Sequence, residues 1–202
     1  VLCTVMASAV PTIFHKKDRY ASVLKSSGYS YNRHLHSGQY YETQSVAWTC
    51  FFADIQAIHD IAFEEETWLD AHGYSAMDDQ TMFYKAWLRG YKTVVVADAQ
   101  YVHMDAKTST RNNKPSVLYS AMFNRVIFWH RFIYSTQKNP MQRGIASISF
   151  AYRLLWIYLW NRIGFLRHRM SREDLIVVKQ SFADAKSFLK SDEYLELPSV
   201  CK

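Results

Sequence analysis

Apolar positions along the chain change their spacing several times, and each change predicts an element. Residues 1–10, VLCTVMASAV, form one short apolar run, as expected of a buried strand. Residues 16–41, centred on SSGYSYNRHLHSGQYY, hold no clean period and read as a loop excursion. A β-rich run returns at 46–52, and in 54–63 the residues Ile55, Ile58 and Ala62 recur at helical spacing behind Asp54, a plausible N-cap. Met82, Phe83, Ala86 and Trp87 make the next helical stripe, with Asp78-Asp79 as its acidic N-terminus. Gly90 stands where a left-handed residue ends that helix, and 92–97 is a strong strand. Three more helices are predicted: 116–134, broken by Asn139-Pro140; 145–168, rich in aromatics; and 172–189, amphipathic.

The chain has 202 residues, 49% of them hydrophobic and only 6 Gly and 4 Pro, enough for a packed core and unlike a disordered or collagen-like chain. No uninterrupted apolar run reaches the roughly 18–20 residues that cross a bilayer. The first ten residues could pass for a secretory segment, but they carry neither a basic flank nor an initiating Met, and the missing Met suggests a chain cut from something longer. Cys3, Cys50 and Cys201 are odd in number and match no zinc or disulfide spacing, which points to a reducing compartment.

Charge changes the picture more than composition does. The net charge of +6 hides 9 basic and 12 acidic residues in 1–110, then 11 basic and no acidic residues in 111–172. Such a block attracts phosphates, whether of lipid headgroups, nucleic acid or a nucleotide-linked substrate. In 145–168 the arginines interleave with Trp156, Tyr158 and Trp160, the composition of a helix lying in an anionic membrane interface, most simply the cytoplasmic face. The plain alternative is a helix whose aromatics are core. Nucleic acid is a poor fit, since no recognition motif accompanies the charge.

Asp78-Asp79 alone is weak evidence for chemistry, because carboxylates are favoured in any first helical turn. The run that follows alters its weight. DDQTMFYKAWLRGYKTVVVADAQYVHMDAKTS resembles, without a gap, the acidic-pair, helix, Gly-Tyr, strand, His pattern of the family 2 glycosyltransferases. Asp78 and Asp79 stand at the family's acidic pair, Lys85 at its Arg, Gly90-Tyr91 at its Gly-Tyr and His103 at its His. Phe63-Glu64-Glu65-Glu66-Thr67-Trp68 is similar to the family's F-D-E-x-F-F element, residues 46–51 to its acceptor-side strand, and Phe123-Asn124-Arg125 to its R-N-x-L-x-F helix. The match covers about 47–132, with its specific part at 78–103.

The resemblance implies an α/β fold, the acceptor-side part of a GT-A type domain with a small mixed sheet over 1–115, followed by basic helices over 116–202. It implies inverting transfer from a nucleotide sugar to a glycan or lipid-linked acceptor in surface polysaccharide assembly. A sugar hydroxyl is a poor nucleophile, so a carboxylate must take its proton; Asp79 is that base, with Asp78 beside it. Trp48, Glu66 and Trp68 fall on the acceptor side. A divalent cation, Mn²⁺ or Mg²⁺, neutralises the leaving diphosphate in this family, and His103 is its candidate ligand, with Asp105 a possible companion. His34 and His36 read as solvated loop residues. The family's Asp-x-Asp motif occurs nowhere in the chain, which therefore reads as a fragment without the donor half, inactive alone. The second reading is a non-catalytic remnant or membrane-associated interaction module.

Overall fold

The computed structural model describes residues 20–32, 34–47, 50–102 and 114–201. Its fold is α/β: one four-stranded mixed sheet and a set of helices packed around a shared core. The buried strand expected at 1–10 lies outside the described residues.

The sheet begins where a loop excursion was expected. Strands β1 (Tyr20–Leu24), β2 (Ser30–Asn32) and β3 (Tyr40–Thr43) all fall within or at the edge of 16–41, and with β4 (Thr93–Val96) they take the order β2-β1-β3-β4. β1 pairs antiparallel with β2 and parallel with β3, while β3 pairs antiparallel with β4. The reason the pattern hides these strands is chemical. Their inward positions include Ser22 and Thr43, followed by Gln44, and hydrogen bonds satisfy them: the Gln44 carboxamide oxygen accepts from Leu24 N at 2.9 Å, and Gln44 N donates to Ser22 O at 3.0 Å. The strand expected at 46–52 does not form among its described residues; β3, a few positions earlier, is the partner of β4.

The helical expectations fare better. α1 (Ile55–Ile61) is capped by Asp54, whose carboxylate accepts from Gln56 N and Ala57 N. Two 3₁₀ turns, Phe63–Glu65 and Thr67–Leu69, lead to α2 (Asp78–Leu88). Met77, with φ 76°, is the N-cap of α2, so the acidic pair occupies the first two helical positions rather than the cap itself. At the other end Gly90 has φ +89°, the left-handed conformation that glycine adopts without strain.

α3 (Lys114–Phe128) runs on as a π-helical turn, Trp129–Tyr134; α4 (Pro140–Leu166) follows with Asn139 as its cap, then α5 (Arg172–Phe188) and a last turn, α6 (Asp192–Leu195). Ile127, Phe128 and Phe132 are wholly buried and join Leu24 of β1, Trp68, Tyr84 of α2, Phe150 of α4 and Ala185 of α5 in one cluster. The core thus crosses the expected division at 115/116, and α3, packed along α5, belongs to the same hydrophobic unit as the sheet.

α4 divides by environment. Its first half is anchored by Phe150, whose ring stacks on Trp129 with centroids 4.1 Å apart. Its second half leaves Leu155, Tyr158, Leu159, Trp160 and Leu166 exposed. Core and surface readings of these aromatics therefore each hold for part of the helix. No helix among the described residues is long and apolar enough to cross a membrane.

Candidate active site

The 3₁₀ turns after α1 and the start of α2 enclose an open cleft of about 810 Å³. Glu64, Glu66, Asp70, Asp78 and Asp79 line it with Ser75, and no Lys or Arg lines it among the described residues. Sequence alone places Asp78 and Asp79 together; the fold adds Glu64 and Asp70 to the same wall.

The cleft is shaped from below by a saturated ion cluster. Glu66 is 3% exposed, and each of its oxygens accepts twice. Oε1 lies 2.8 Å from Lys85 Nζ and accepts from Arg131 Nη2 at 3.0 Å; Oε2 accepts from Arg131 Nε at 2.7 Å and from Trp68 Nε1 at 2.8 Å. The Lys85 ammonium also donates to Ala62 O at 2.7 Å and to Glu65 Oε2 at 3.1 Å, so its three protons have three acceptors. Arg131 Nη2 donates again to Pro198 O at 2.7 Å. Arg89 Nη2 also lies 3.7 Å from Glu65 Oε2, so three cations share the two carboxylates.

Burial by itself would raise the Glu66 carboxyl pKa, but the Arg131 guanidinium, with help from Lys85 and Trp68, brings it below its ordinary 4.5. The four groups come from three parts of the chain. Glu66 lies between the two 3₁₀ turns and Trp68 in the second, Lys85 belongs to α2 and Arg131 to the π turn after α3. Together they fix the start of the cleft wall against α2 and against the helices that follow.

A second clamp holds the loop between Leu69 and Met77. The Asn124 carboxamide donates to Leu69 O at 3.0 Å and to Ala76 O at 2.8 Å, while Ser116 Oγ donates to His72 O at 2.9 Å. The His72 ring rests edge-on against Tyr119 and Phe123. At the far end of α2, the Tyr91 hydroxyl bonds Asp60 Oδ2 of α1. Asp78 Oδ1 accepts from Asp79 N at 2.8 Å, and Thr81 Oγ1 donates to Met77 O at 2.8 Å, which orders the first turn of α2 where the acidic pair sits.

Each expected site residue can now be placed. Asp78 and Asp79 line the cleft as a pair. Trp68 has 0% exposure, and each oxygen of the Glu66 carboxylate already accepts two hydrogen bonds within the ion cluster. Trp48, His103 and Asp105 lie outside the described residues. His34 and His36 are exposed, their rings 5.7 Å apart edge to face. No group of three His, Cys, Asp or Glu side chains among the described residues could hold a metal ion, so the described part of the cleft does not make a complete cation site.

Arg131 was missed by sequence reasoning. Its signal is a cation set between Ile127, Phe128 and Phe132, all core positions, where only a buried acid makes an arginine affordable. Comparison with known protein families, curated proteins and solved structures finds no match to this chain.

Replacing Glu66 by Gln leaves Arg131 buried without its counter-charge and Lys85 with Glu65 alone, at an expected cost of about 3–5 kcal/mol in chemical denaturation. The pH dependence has a definite sign. With the folded pKa depressed, Glu66 contributes its stability above the ordinary value of 4.5 and loses it as pH falls below that value. Melting curves of the wild type should therefore steepen downward below pH 4.5, and those of Glu66→Gln should be flatter there. Equal acid limbs would contradict the assignment.

Proposed function

We propose that this chain is the acceptor-side part of an inverting glycosyltransferase similar to family 2, with Asp79 as general base. The observation that carries the reading is the cleft at the start of α2, walled by carboxylates and without a cation among its described lining. Such a lining repels a diphosphate and suits a neutral polyhydroxyl ligand, whose O–H groups donate to carboxylate oxygens. The nucleotide sugar is then held on another surface, and only its anomeric carbon has to reach this one.

In the reaction Asp79 accepts the proton of the acceptor hydroxyl as that oxygen attacks the anomeric carbon. The bond from that carbon to the diphosphate oxygen breaks on the opposite side, which inverts the configuration. The clamp of Asn124 on Leu69 and Ala76, and of Lys85 on Glu65 and Glu66, holds the base so that the hydroxyl meets it in one geometry. The described residues do not supply a complete ligand set for a divalent cation, and no step here is assigned to one.

Membrane association is the companion proposal, with the anionic, cytoplasmic leaflet as the surface. It is supported by the second half of α4, where Tyr158, Leu159, Trp160 and Leu166 are exposed beside exposed Arg162 and Arg167. A lipid-linked acceptor would bring its sugar to a cleft held at that surface.

Two outcomes are expected. In the enzyme assayed with its donor-binding part, Asp79→Asn lowers turnover by roughly 10²–10⁴-fold with the fold intact, because the amide cannot take the proton. Wild-type turnover would favour the non-catalytic module. In liposome co-sedimentation, the chain binds anionic vesicles, salt weakens the binding by screening, and Trp160→Ser weakens it further without lowering the melting temperature. Unchanged affinity in Trp160→Ser would remove α4 from the contact.

A further inference from the structure

The turn between β1 and β2 is pinned between α3 and α4. Trp129 Nε1 donates to Ser26 O at 3.0 Å, Ser26 Oγ donates to Ser149 Oγ at 3.0 Å, and Arg153 Nη1 donates to Ser27 O at 3.0 Å. Gly28 has φ +69°, and a Cβ there would stand 3.3 Å from Arg153 Nη1, so the turn closes tightly on the guanidinium. The Tyr29 ring lies 5.5 Å from the Arg153 guanidinium carbon. The Trp129–Phe150 stack sets the π turn after α3 against α4, and Arg125, one turn before Trp129, is close enough for its charge to act on Arg153.

Lys25, Arg125 and Arg153 form no ion pair with any described carboxylate. Lys25 is 3% exposed, with its ammonium 5.0 Å from the Tyr31 ring. Arg125 reaches only Met122 Sδ, and its Nε is buried without a hydrogen-bond partner. Ser27 Oγ and the Trp156 indole N–H are buried without partners too. Burial and the nearby charge of Arg125 push Arg153 down to about 9, and burial pushes Arg125 down to about 10, both in the direction expected of cations missing an anion.

Buried donors without acceptors are rare in folded proteins, and two half-buried guanidiniums with no acid between them are rarer. The Glu66 cluster shows how this chain neutralises a buried arginine when the counter-charge is its own. At the turn no described carboxylate supplies it.

We propose that Arg125, Arg153 and Ser27 form a binding site for a phosphate group, at the junction of the β1–β2 turn with the end of α3 and with α4. A phosphate dianion offers enough acceptors for both guanidiniums and the serine hydroxyl at once, which a chloride ion does not. The site is separate from the acidic cleft, and the proposal stands whether or not Asp79 is a base. The phosphate belongs either to a soluble phosphate ester or to a lipid headgroup, and the chemistry at the site is the same.

The test is thermal melting of the chain in sodium phosphate against sodium chloride at matched ionic strength. A saturable rise in melting temperature is expected with phosphate alone, as linkage requires of a ligand that binds the folded state. Arg153→Gln and Arg125→Gln should each raise the half-saturating phosphate concentration at least about tenfold, the loss of one charge-assisted contact. Lys179→Gln, an equal change of charge on the exposed face of α5, should leave it unaltered. Ser27→Ala should weaken phosphate several-fold without touching a cation, and supplies the same test should an arginine variant not fold.

Vesicles of phosphatidylcholine doped with phosphatidic acid separate the two sources. Binding that inorganic phosphate competes away in the wild type, and that Arg153→Gln lacks, assigns a headgroup; vesicle binding indifferent to both assigns a soluble ester. No phosphate-specific rise in the wild type, or equal weakening by Lys179→Gln and Arg153→Gln, would overturn the site.

Discussion

A single buried carboxylate organises this protein. Glu66 lies in a short irregular segment that has no ladder of its own, and a lone carboxylate there would cost several kcal/mol. Four hydrogen bonds from Lys85, Arg131 and Trp68 offset that cost by filling every lone-pair site. Because the donors come from α2 and from the π turn after α3, satisfying one acid fixes the relative placement of segments far apart in sequence. The hydrophobic cluster then closes around it, with Trp68, Tyr84, Phe128 and Phe132 as shared members.

The cleft follows from that constraint. Once the Glu66 cluster fixes one end of the wall and Asn124 fixes the loop before α2, the acidic pair is carried to a defined place beside Glu64 and Asp70. The cations of the second half are not arrayed as one positive face. Arg131 is neutralised in the core, Arg125 and Arg153 turn inward near the sheet, and Arg162 and Arg167 remain at the surface. One block of charge in the sequence thus becomes three environments: a structural ion pair, two inward arginines with no described counter-charge, and a solvated helix.

Much of the helical part was legible because its signals are local. The Asp54 cap, the stripe of Met82, Phe83 and Ala86, the Gly90 stop and the amphipathic run of α5 each act within a few residues, and the structure keeps them. The sheet was not legible, since β1 to β3 are short and bury serine, threonine and glutamine whose partners lie on neighbouring strands. The run at 46–52 has strand propensity, but β4 takes β3 as its partner and no described residue of the run joins the sheet. For the site, the acidic pair was visible as a motif. The burial of Glu66 and Trp68, and the partnership with Arg131 across 65 residues, depend on tertiary contacts that no spacing encodes.

The central claim is that Glu66 and Arg131 act as one unit joining the cleft wall to the helices behind it. A double-mutant cycle of Glu66→Gln and Arg131→Gln, read by chemical denaturation, measures that unit directly. The account predicts a coupling energy of at least about 1.5 kcal/mol, since each single change strands a buried partner that the double change releases. Additivity within about 0.5 kcal/mol would mean that the two side chains stabilise the fold independently, and would contradict it.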